Sequence, residues 1–376
     1  MKFTIDRNKF INHLNHVMRA ISSKTTIPIL TGIKLELSTE GLILTGSNSD
    51  ISIKSTVIKD TELQIQSEGN IVLPARFFSE IVKKLPESIF TFEVKENLQT
   101  VIKSGSSEFL INGLDADNYP RLPQVSKNLQ FELNGKMLRN LINQTNFAVS
   151  TQESRPILTG VHFVISNNQV KAVATDSHRL SQRILQIENG PDNILDFIIP
   201  GKSLTELSRI LSDVDDNIQI QMSENQILFT IGNLSFYSRL LEGTYPETDR
   251  LLPDSSTTDI TFNSSKIFSA LERASLLTHE SRNNVVRLVI NPELHQVVLY
   301  GNSPEVGNVE EILNVDTLVG ESLEISFNPD YLKSALRAFK TDQITMKFTQ
   351  PLRPFTVVPK ENDGQFVQLI TPVRTF

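Results

Sequence analysis

Pairs of basic residues recur seven positions apart along the chain, and each pair falls in a segment with helical apolar spacing. The pairs are Arg76 and Lys83, Lys202 and Arg209, Lys266 and Arg273, and Lys333 and Lys340. Seven residues make about two helical turns, so both members of a pair share one face of the helix. Such a face can bind phosphate groups. No base-reading motif accompanies the pairs, which predicts contacts that do not depend on nucleotide sequence.

The distribution of charge reverses what the net charge suggests. The 376 residues include 36 Lys and Arg against 43 Asp and Glu, a net charge of −7 that on its own argues against nucleic acid. However, 15 basic and only 4 acidic residues fall in the predicted helices, which span 7–20, 75–85, 135–149, 201–212, 264–278 and 329–340. A solvated face explains the charge of any one helix, but it does not explain the same bias in all six.

Other residues capable of chemistry form no catalytic or metal-binding pattern. Asp176, Ser177 and His178 are the residue types of a hydrolase triad, but they are adjacent in sequence, and neighbours on a strand point to opposite faces. His13 and His16 lie three apart on a predicted helix without a third ligand at matching spacing, so a solvated basic face is the better interpretation. We therefore predict no catalytic residue and no metal site.

The composition limits the remaining classes of function. The chain has no Cys, which is typical of a reducing compartment and excludes thiolate chemistry. The N-terminus reads as a strand rather than a signal peptide, and no apolar run reaches the ~20 residues that span a membrane. The segment 41–46 lacks the ending of a phosphate-binding loop. We expect a cytoplasmic protein that binds no cofactor.

A domain-sized repeat organises the chain. The string Pro-Ile-Leu-Thr-Gly occurs at 28–32 and again at 156–160, and a Tyr-Pro pair occurs at 119–120 and 245–246. The order strand, helix, strand, strand, strand is predicted twice in each third, which favours an α+β fold with helices on one side of the sheets. The predicted domains are 1–125, 126–254 and 255–376.

Repetition of this kind suggests a closed assembly. If each domain turns the chain by a similar angle, two copies joined head to tail close a ring of six units. Closure would pair the strand edges that a single copy leaves open. The basic helices would then line the inner face, around a hole that admits duplex DNA, and the sheets would lie outside.

Several longer strings together resemble one known family. They are Val72-Leu73-Pro74-Ala75-Arg76, the segment 174–180 with the sequence Ala-Thr-Asp-Ser-His-Arg-Leu, the segment 327–332 with the sequence Phe-Asn-Pro-Asp-Tyr-Leu, and the segment 371–374 with the sequence Thr-Pro-Val-Arg. Over its whole length the chain resembles the β subunit of bacterial DNA polymerase III, the sliding clamp. The resemblance implies a DNA-clamp fold and a non-catalytic homodimeric ring. Such a ring encircles double-stranded DNA without sequence specificity and gives the polymerase processivity.

The resemblance also implies a peptide pocket between the second and third domains. Its expected partners are the α subunit of the replicative polymerase, the clamp loader δ subunit, repair polymerases and mismatch-repair proteins, each carrying a short motif with Gln, Leu and a final Leu-Phe. Ser177 and Thr371 depart from the residues that many members have there. The pocket residues carried over are Leu158, Thr175, Ser177, His178, Arg179, Leu180, Pro246, Arg250, Leu251, Asn328, Tyr331, Leu369, Ile370, Thr371, Pro372, Val373 and Arg374.

Two further surfaces follow in part from the resemblance. It carries DNA contacts over to Lys24, Arg76, Gln152, Arg155, Pro156, Ile157 and Arg282, and the charge pattern adds Lys202 and Arg209. It carries a dimer interface over to Phe109, Leu276 and Leu277, although Leu277 also fits the core stripe of its helix. The alternative is a repeat-built adaptor that docks peptides in the same cleft and never encircles DNA.

Overall fold

The computed structural model describes residues 1–125, 129–188, 190–191, 193–280, 284–361 and 364–374. Arg282 therefore lies outside the described residues. The α-helices are α1 Arg7–Met18, α2 Ala75–Lys83, α3 Gly135–Thr145, α4 Gly201–Ile210, α5 Ser264–Thr278 and α6 Pro329–Phe339.

The strands of the three domains follow one another in the same order. The N-terminal strands are β1 Lys2–Asp6, β2 Gly32–Ser38, β3 Gly41–Ser47, β4 Ile51–Ile58, β5 Leu63–Ser67, β6 Gly69–Pro74, β7 Ile89–Val94, β8 Gln99–Ser104 and β9 Ser107–Asn112. The central strands are β10 Leu129–Asn134, β11 Gly160–Ser166, β12 Gln169–Thr175, β13 Arg179–Gln186, β14 Leu195–Pro200, β15 Asn217–Ser223, β16 Gln226–Ile231 and β17 Leu234–Arg239. The C-terminal strands are β18 Thr258–Asn263, β19 Val286–Asn291, β20 Gln296–Ser303, β21 Gly307–Leu313, β22 Thr317–Gly320, β23 Leu323–Phe327, β24 Gln343–Phe348, β25 Phe355–Pro359 and β26 Phe366–Ile370.

The predicted order of strand, helix and three strands is confirmed twice in each domain, with two local corrections. β5 and β22 are additional strands that the sequence pattern did not predict, and each lies at the edge of a sheet. The sequence pattern predicts strands over 29–37 and 157–165, but residues 28–31 and 156–159 form short 3-10 helices that end just before Gly32 and Gly160. Proline at the first position suits a helical start because its missing N–H has no partner there.

Three of the helices begin where a polar side chain at or just after the end of a strand caps them. Asp6, Asn263 and Asn328 each accept a hydrogen bond from a backbone N–H in the first turn of α1, α5 and α6 respectively. Such caps satisfy N–H groups that have no partner within the helix. Each helix therefore starts at the end of a strand and packs back on the adjoining sheet.

The chain forms two compact units, residues 1–136 with 206–240 and residues 137–205 with 241–376. In the first unit the antiparallel sheet β10-β15-β16-β17-β4-β3-β2-β6 crosses from the central to the N-terminal domain, because β17 pairs with β4. In the second unit the sheet β14-β11-β12-β13-β26-β25-β24-β18-β22 crosses from the central to the C-terminal domain, because β13 pairs with β26.

Two further sheets belong to a single domain each. The sheet β5-β1-β7-β8-β9 lies in the first unit and the sheet β21-β20-β19-β23 in the second. In each of them the last strand of a β-α-β-β-β unit, β9 or β21, forms an edge. Edge strands present unpaired backbone groups and require a cover or a partner.

Both units bury large apolar side chains between helices and sheets. Phe10 of α1 is fully buried and meets Phe78 and Phe90 edge to face, at 5.7 and 5.3 Å between ring centres. In the second unit Leu271 of α5 and Leu332 of α6 are fully buried in one core cluster. No helix in the described part of the chain combines the length and apolar character that crossing a membrane requires.

One of the predicted basic pairs does not lie on an exposed face. Lys333 is 8% exposed, and its Nζ donates to Ser275 Oγ at 2.9 Å across the contact between α5 and α6. The other members of the pairs are exposed. Seven-residue spacing fixes a helix face but not the neighbouring helix that covers it, so the prediction was wrong at Lys333.

At Gly46 the helix α1 lies very close to the sheet, and the repeated fold places a small residue at each equivalent position. A Cβ at Gly46 would lie 2.7 Å from the carbonyl oxygen of Val17, whereas a Cβ at the equivalent Gly301 would meet its nearest atom at 3.0 Å, and the third equivalent position is already Ala174. We expect Gly46→Ala to cost about 1–3 kcal/mol of stability and Gly301→Ala less. Urea unfolding of both variants measures this, and equal midpoints would contradict it.

Candidate functional site

The hairpin between β12 and β13 is shaped by Asp176. Its carboxylate accepts hydrogen bonds from the backbone N–H of His178 and Arg179 at 2.9 and 3.0 Å, and from Arg179 Nε at 2.9 Å. Ser177 adopts a left-handed φ of 78° and its hydroxyl meets Arg155 rather than an imidazole. Asp176 therefore stabilises a turn, and these residues do not form a triad.

Arg179 connects this hairpin to the C-terminal domain. Its guanidinium lies 4.9 Å from the ring centre of Tyr331 and 5.6 Å from that of Phe147. The ring of His178 lies parallel to Tyr331 at 6.4 Å. Burial raises the pKa of the Tyr331 hydroxyl, so the ring stays neutral at ordinary pH. Planar stacking of this kind is a property of arginine that lysine lacks.

The pairing of β13 with β26 brings apolar side chains of the central and C-terminal domains into contact. Leu180 lies opposite Leu369, and both pack with Val173 and Leu252 in one small cluster. Beyond the end of β26, the backbone N–H of Thr371 donates to the carbonyl of His178 at 2.9 Å. The segment 371–373 is thereby held, half-buried, beside the hairpin.

The segment after β17 lies on the other side of the residues expected in the peptide pocket. Tyr245 is buried with Leu158, and its hydroxyl accepts a hydrogen bond from the backbone N–H of Thr175 at 3.1 Å. Burial raises the pKa of Tyr245 to about 12. Further along, Asp249 binds Lys171, and the short helix that follows presents Leu251, which is 50% exposed.

A polar cluster around Asp330 lies next to Tyr331 at the start of α6. The carboxylate of Asp330 contacts Lys333 at 2.7 Å, Asn284 at 2.7 Å and His279 at 3.1 Å. Burial opposes ionisation of Asp330, but Lys333 and His279 outweigh it, so its pKa lies below the ordinary value. The backbone N–H of Asp330 also donates to Asn328, which fixes the start of α6.

All seventeen residues expected in the peptide pocket lie in the second compact unit. The exposed ones are Ser177, His178, Pro246, Arg250, Leu251 and Arg374; the half-buried ones are Arg179, Asn328, Tyr331, Thr371, Pro372 and Val373; the buried ones are Leu158, Thr175, Leu180, Leu369 and Ile370. The structure adds three supporting residues that sequence reasoning missed, Phe147, Tyr245 and Asp330. Of these, Tyr245 belongs to the repeated Tyr-Pro pair and Asp330 to the string at 327–332, whereas Phe147 had no signal in the sequence.

Basic residues of the helices and loops are exposed but partly compensated. In the first unit Lys24 is exposed and Arg76 is 84% exposed, while Glu206 pairs with both Arg209 and Arg19. In the second unit Lys202 is 88% exposed. Gln152, Arg155 and Pro156 are exposed on one loop, whereas Ile157 is half-buried against Leu158.

The three residues expected at a dimer interface lie on the two single-domain sheets or beside them. Phe109 is half-buried on the edge strand β9, next to Leu110, which is 58% exposed. Leu276 on α5 is 73% exposed and Leu277 is half-buried. Ile312 on the edge strand β21 is 64% exposed. Among the described residues, no three His, Asp or Glu side chains are grouped to hold a metal ion.

Three repeated α+β domains joined by continuous antiparallel sheets define the class of three-domain DNA clamps. Models of the N-terminal, central and C-terminal domains of the DNA polymerase III beta subunit match residues 1–123, 132–247 and 249–374. The beta sliding clamp of Staphylococcus epidermidis is 47% identical, with all of both chains covered. The crystal structure of the Bacillus subtilis sliding clamp superimposes with a TM-score of 0.97 at 46% identity, and that of the Streptococcus pyogenes beta subunit with 0.96 at 45%, each with full coverage of both chains.

The chain belongs to the beta sliding clamp family, the beta subunits of DNA polymerase III. It is a non-catalytic processivity clamp, which confirms the function expected from its sequence and not the adaptor alternative. The predicted α+β clamp fold of three similar domains is likewise confirmed.

The Asp330 cluster predicts a dependence of stability on pH. A carboxyl whose pKa is lowered by folding stabilises the protein above its ordinary pKa of 3.8, and this contribution is lost as pH falls through the lower folded value. We expect Asp330→Asn to lower the melting temperature most near neutral pH and progressively less below about pH 4. Asp254→Asn, at an exposed position, is the control. A deficit of equal size at every pH would contradict the prediction.

Proposed function

We propose that two copies of this chain join head to tail in a ring around duplex DNA, and that the pocket beside the β13–β26 junction tethers partner proteins to it. The proposal rests on the pairing at the two domain junctions within the chain, where β4 pairs with β17 and β13 pairs with β26, both antiparallel. The strand equivalent to β17 and β26 in the N-terminal domain is β9, and the strand equivalent to β4 and β13 in the C-terminal domain is β21. Both β9 and β21 are left as edges of their sheets. A second copy supplies the missing partner at each edge.

The internal junctions also give the register of the proposed contact. Ile53 of β4 pairs with Phe236 of β17, and Ser181 of β13 pairs with Gln368 of β26. In their hairpins, Ile53 and Ser181 lie opposite Gly46 and Ala174, and Val309 of β21 lies opposite Gly301 in the same way.

The same comparison identifies the residue that Val309 would meet. Phe236 lies opposite Phe229 in the β16–β17 hairpin, and Phe109 lies opposite Ile102 in the equivalent β8–β9 hairpin. We therefore place Phe109 of one copy opposite Val309 of the other.

Helix residues support the same contact. Arg19, after α1, binds Glu206 of α4, and Phe147, after α3, packs against the core of the C-terminal domain. The equivalent position on α5 is Leu276, which is 73% exposed within one copy. Burial of Leu276, and of the neighbouring Leu277, against α2 of a second copy would remove an apolar surface from water.

The DNA surface of the ring consists of single exposed groups without a base-reading element. Lys24, Arg76, Gln152, Arg155, Pro156, Lys202 and Arg209 are exposed or partly exposed, with Ile157 supporting the loop and Arg282 proposed from the sequence alone. Contacts of this kind bind phosphate, weaken with salt and do not depend on sequence. They allow a ring to stay on DNA without stopping at one site.

The pocket suits an extended peptide with apolar anchors. Leu251 provides exposed apolar surface beside the buried pair Leu180 and Leu369, and Arg179 and His178 provide polar groups at the rim. We propose as occupants the Leu- and Phe-bearing motifs of the replicative polymerase α subunit, the clamp loader δ subunit, repair polymerases and mismatch-repair proteins. The proposed domains remain 1–125, 126–254 and 255–376, in a cytoplasmic protein.

The proposed register can be tested by disulfide formation because the chain has no Cys of its own. A chain carrying both Phe109→Cys and Val309→Cys should form a covalent dimer under mild oxidation, since directly opposite residues bring their Cβ atoms within disulfide range. Non-reducing electrophoresis measures it.

The matched control carries Phe109→Cys with Glu310→Cys, which points the second thiol to the opposite face of β21. Efficient cross-linking of the control, or a double variant that elutes as a monomer and stays uncross-linked, would overturn the proposed junction.

The two binding surfaces should be separable. Arg76→Glu with Lys202→Glu should reduce retention on nicked circular DNA at least several-fold, because each change replaces an attraction to phosphate by a repulsion, and should leave binding of a motif peptide within about twofold. Tyr331→Ala should do the reverse, because it removes the ring on which Arg179 stacks.

Linearising the circle gives the topological control. A clamp that encircles DNA slides off the cut ends, whereas a protein bound by affinity alone stays. Retention that survives linearisation would overturn encirclement, and equal loss of both activities in either folded variant would overturn the two-surface proposal.

A further inference from the structure

One backbone hydrogen bond recurs in all three domains just after the last strand of each. Leu114 N–H donates to Val72 O at 2.8 Å, Leu241 N–H to Ile198 O at 2.9 Å, and Val373 N–H to Ser326 O at 2.7 Å. The bond holds the segment that follows the last strand, here called the outgoing segment, beside the same sheet edge in each domain. The three sheet faces next to it can therefore be compared position by position.

In the first two domains a tyrosine from the outgoing segment covers this face. The hydroxyl of Tyr119 donates to Gly32 O at 3.3 Å, and its ring packs with Leu30 and Val72. Tyr245 stacks on His162 at 4.8 Å between ring centres. Proline follows the tyrosine in both segments. Each face is thus a slot for a tyrosine in an extended Tyr-Pro segment.

The equivalent face of the C-terminal domain opens as a cavity of about 910 Å³. Arg287 takes the position of His162, and its ion pair with Glu324 at 3.0 Å replaces that of His162 with Asp196 at 2.8 Å. Tyr300 takes the position of Val173 and lies under the Arg287 guanidinium at 4.6 Å. The C-terminal domain therefore retains the side-chain pair of the slot and adds the aromatic ring of Tyr300 beneath it.

The charge at the rim indicates what the cavity would bind. Glu280, Glu305 and Glu310 all line the cavity and are exposed. Within the described residues, no ion pair involves any of these three carboxylates. Among the described residues of the lining, the one basic side chain is Arg287, and it is already paired with Glu324. A cationic ligand is therefore favoured at the rim, and an aromatic ring at the floor.

We propose that this cavity is a second protein-docking site, which binds an extended partner segment with a tyrosine followed by proline and at least one neighbouring lysine or arginine. It is separate from the pocket at the β13–β26 junction, because none of the residues expected in that pocket lines it. In the proposed ring β9 of a second copy lies beside β21 in the sheet plane, so pairing does not cover the cavity face. The site therefore adds a contact for partners near the subunit junction.

The probe for the test copies the segment that fills the slot in the central domain. It is a fluorescein-labelled peptide of residues 241–248 with Glu242→Lys and Glu247→Lys, Leu-Lys-Gly-Thr-Tyr-Pro-Lys-Thr. Fluorescence anisotropy with the full-length protein should show saturable binding that weakens as salt rises. The same peptide with alanine in place of its tyrosine should bind at least tenfold more weakly.

Variants of the protein locate the site. Glu305→Lys with Glu310→Lys should weaken binding at least fivefold, and Tyr300→Ala should weaken it by a similar factor. The matched control, Glu293→Lys with Glu321→Lys, makes the same charge change at exposed positions outside the cavity and should bind within twofold of the parent protein.

An unlabelled Leu-Phe motif peptide provides the last control and should not displace the probe. Displacement by that peptide, equal effects of the two charge variants, or absence of saturable binding would each overturn the proposal. A fluorescein-labelled copy of the motif peptide, titrated with the same protein, measures the first site separately, so failure of the second site is distinguishable from failure of the first.

Discussion

Antiparallel pairing between the last strands of neighbouring domains is the constraint on which the rest of the structure depends. At the β13–β26 junction it sets Leu180 against Leu369 and carries the chain on so that Thr371 bonds to His178. A slip of one residue in this register would turn every side chain of the strand to the other face. Residues expected in the peptide pocket are therefore brought together by the junction, from segments far apart in sequence.

Much of this architecture could be predicted from sequence because it is periodic. Apolar spacing placed all six helices, and their starts were correct to within a residue because caps and prolines mark them. The short edge strands β5 and β22 were missed, since four or five residues with one paired neighbour leave little pattern. The apolar residues Ile29 and Leu30 predict the start of a strand, whereas the structure forms a 3-10 helix there.

The site was less accessible to sequence reasoning because it is made by tertiary contacts. Asp176, Ser177 and His178 attract notice as neighbours, yet the structure uses Asp176 to close a turn. The contact that shapes the pocket wall, Arg179 against Tyr331, joins residues that no local pattern connects. Positions in the pocket came from resemblance, whereas the support of Tyr331 by Asp330 and buried Lys333 emerges only from the packing of α5 on α6.

The carboxylates beside the basic residues are compatible with the proposed DNA surface, which would hold DNA without fixing it. Glu80 lies 3.4 Å from Arg76, Glu153 lies 3.8 Å from Lys202, and Glu206 pairs with Arg209. Exposed pairs of this kind contribute only about 0–1 kcal/mol each, so a phosphate group can replace the carboxylate at little cost and be released as easily. A surface of such exchangeable contacts binds weakly at any one point, and it retains the duplex only if the protein closes around it. Because each contact is weak, this surface would retain DNA only if the protein forms a closed ring around it.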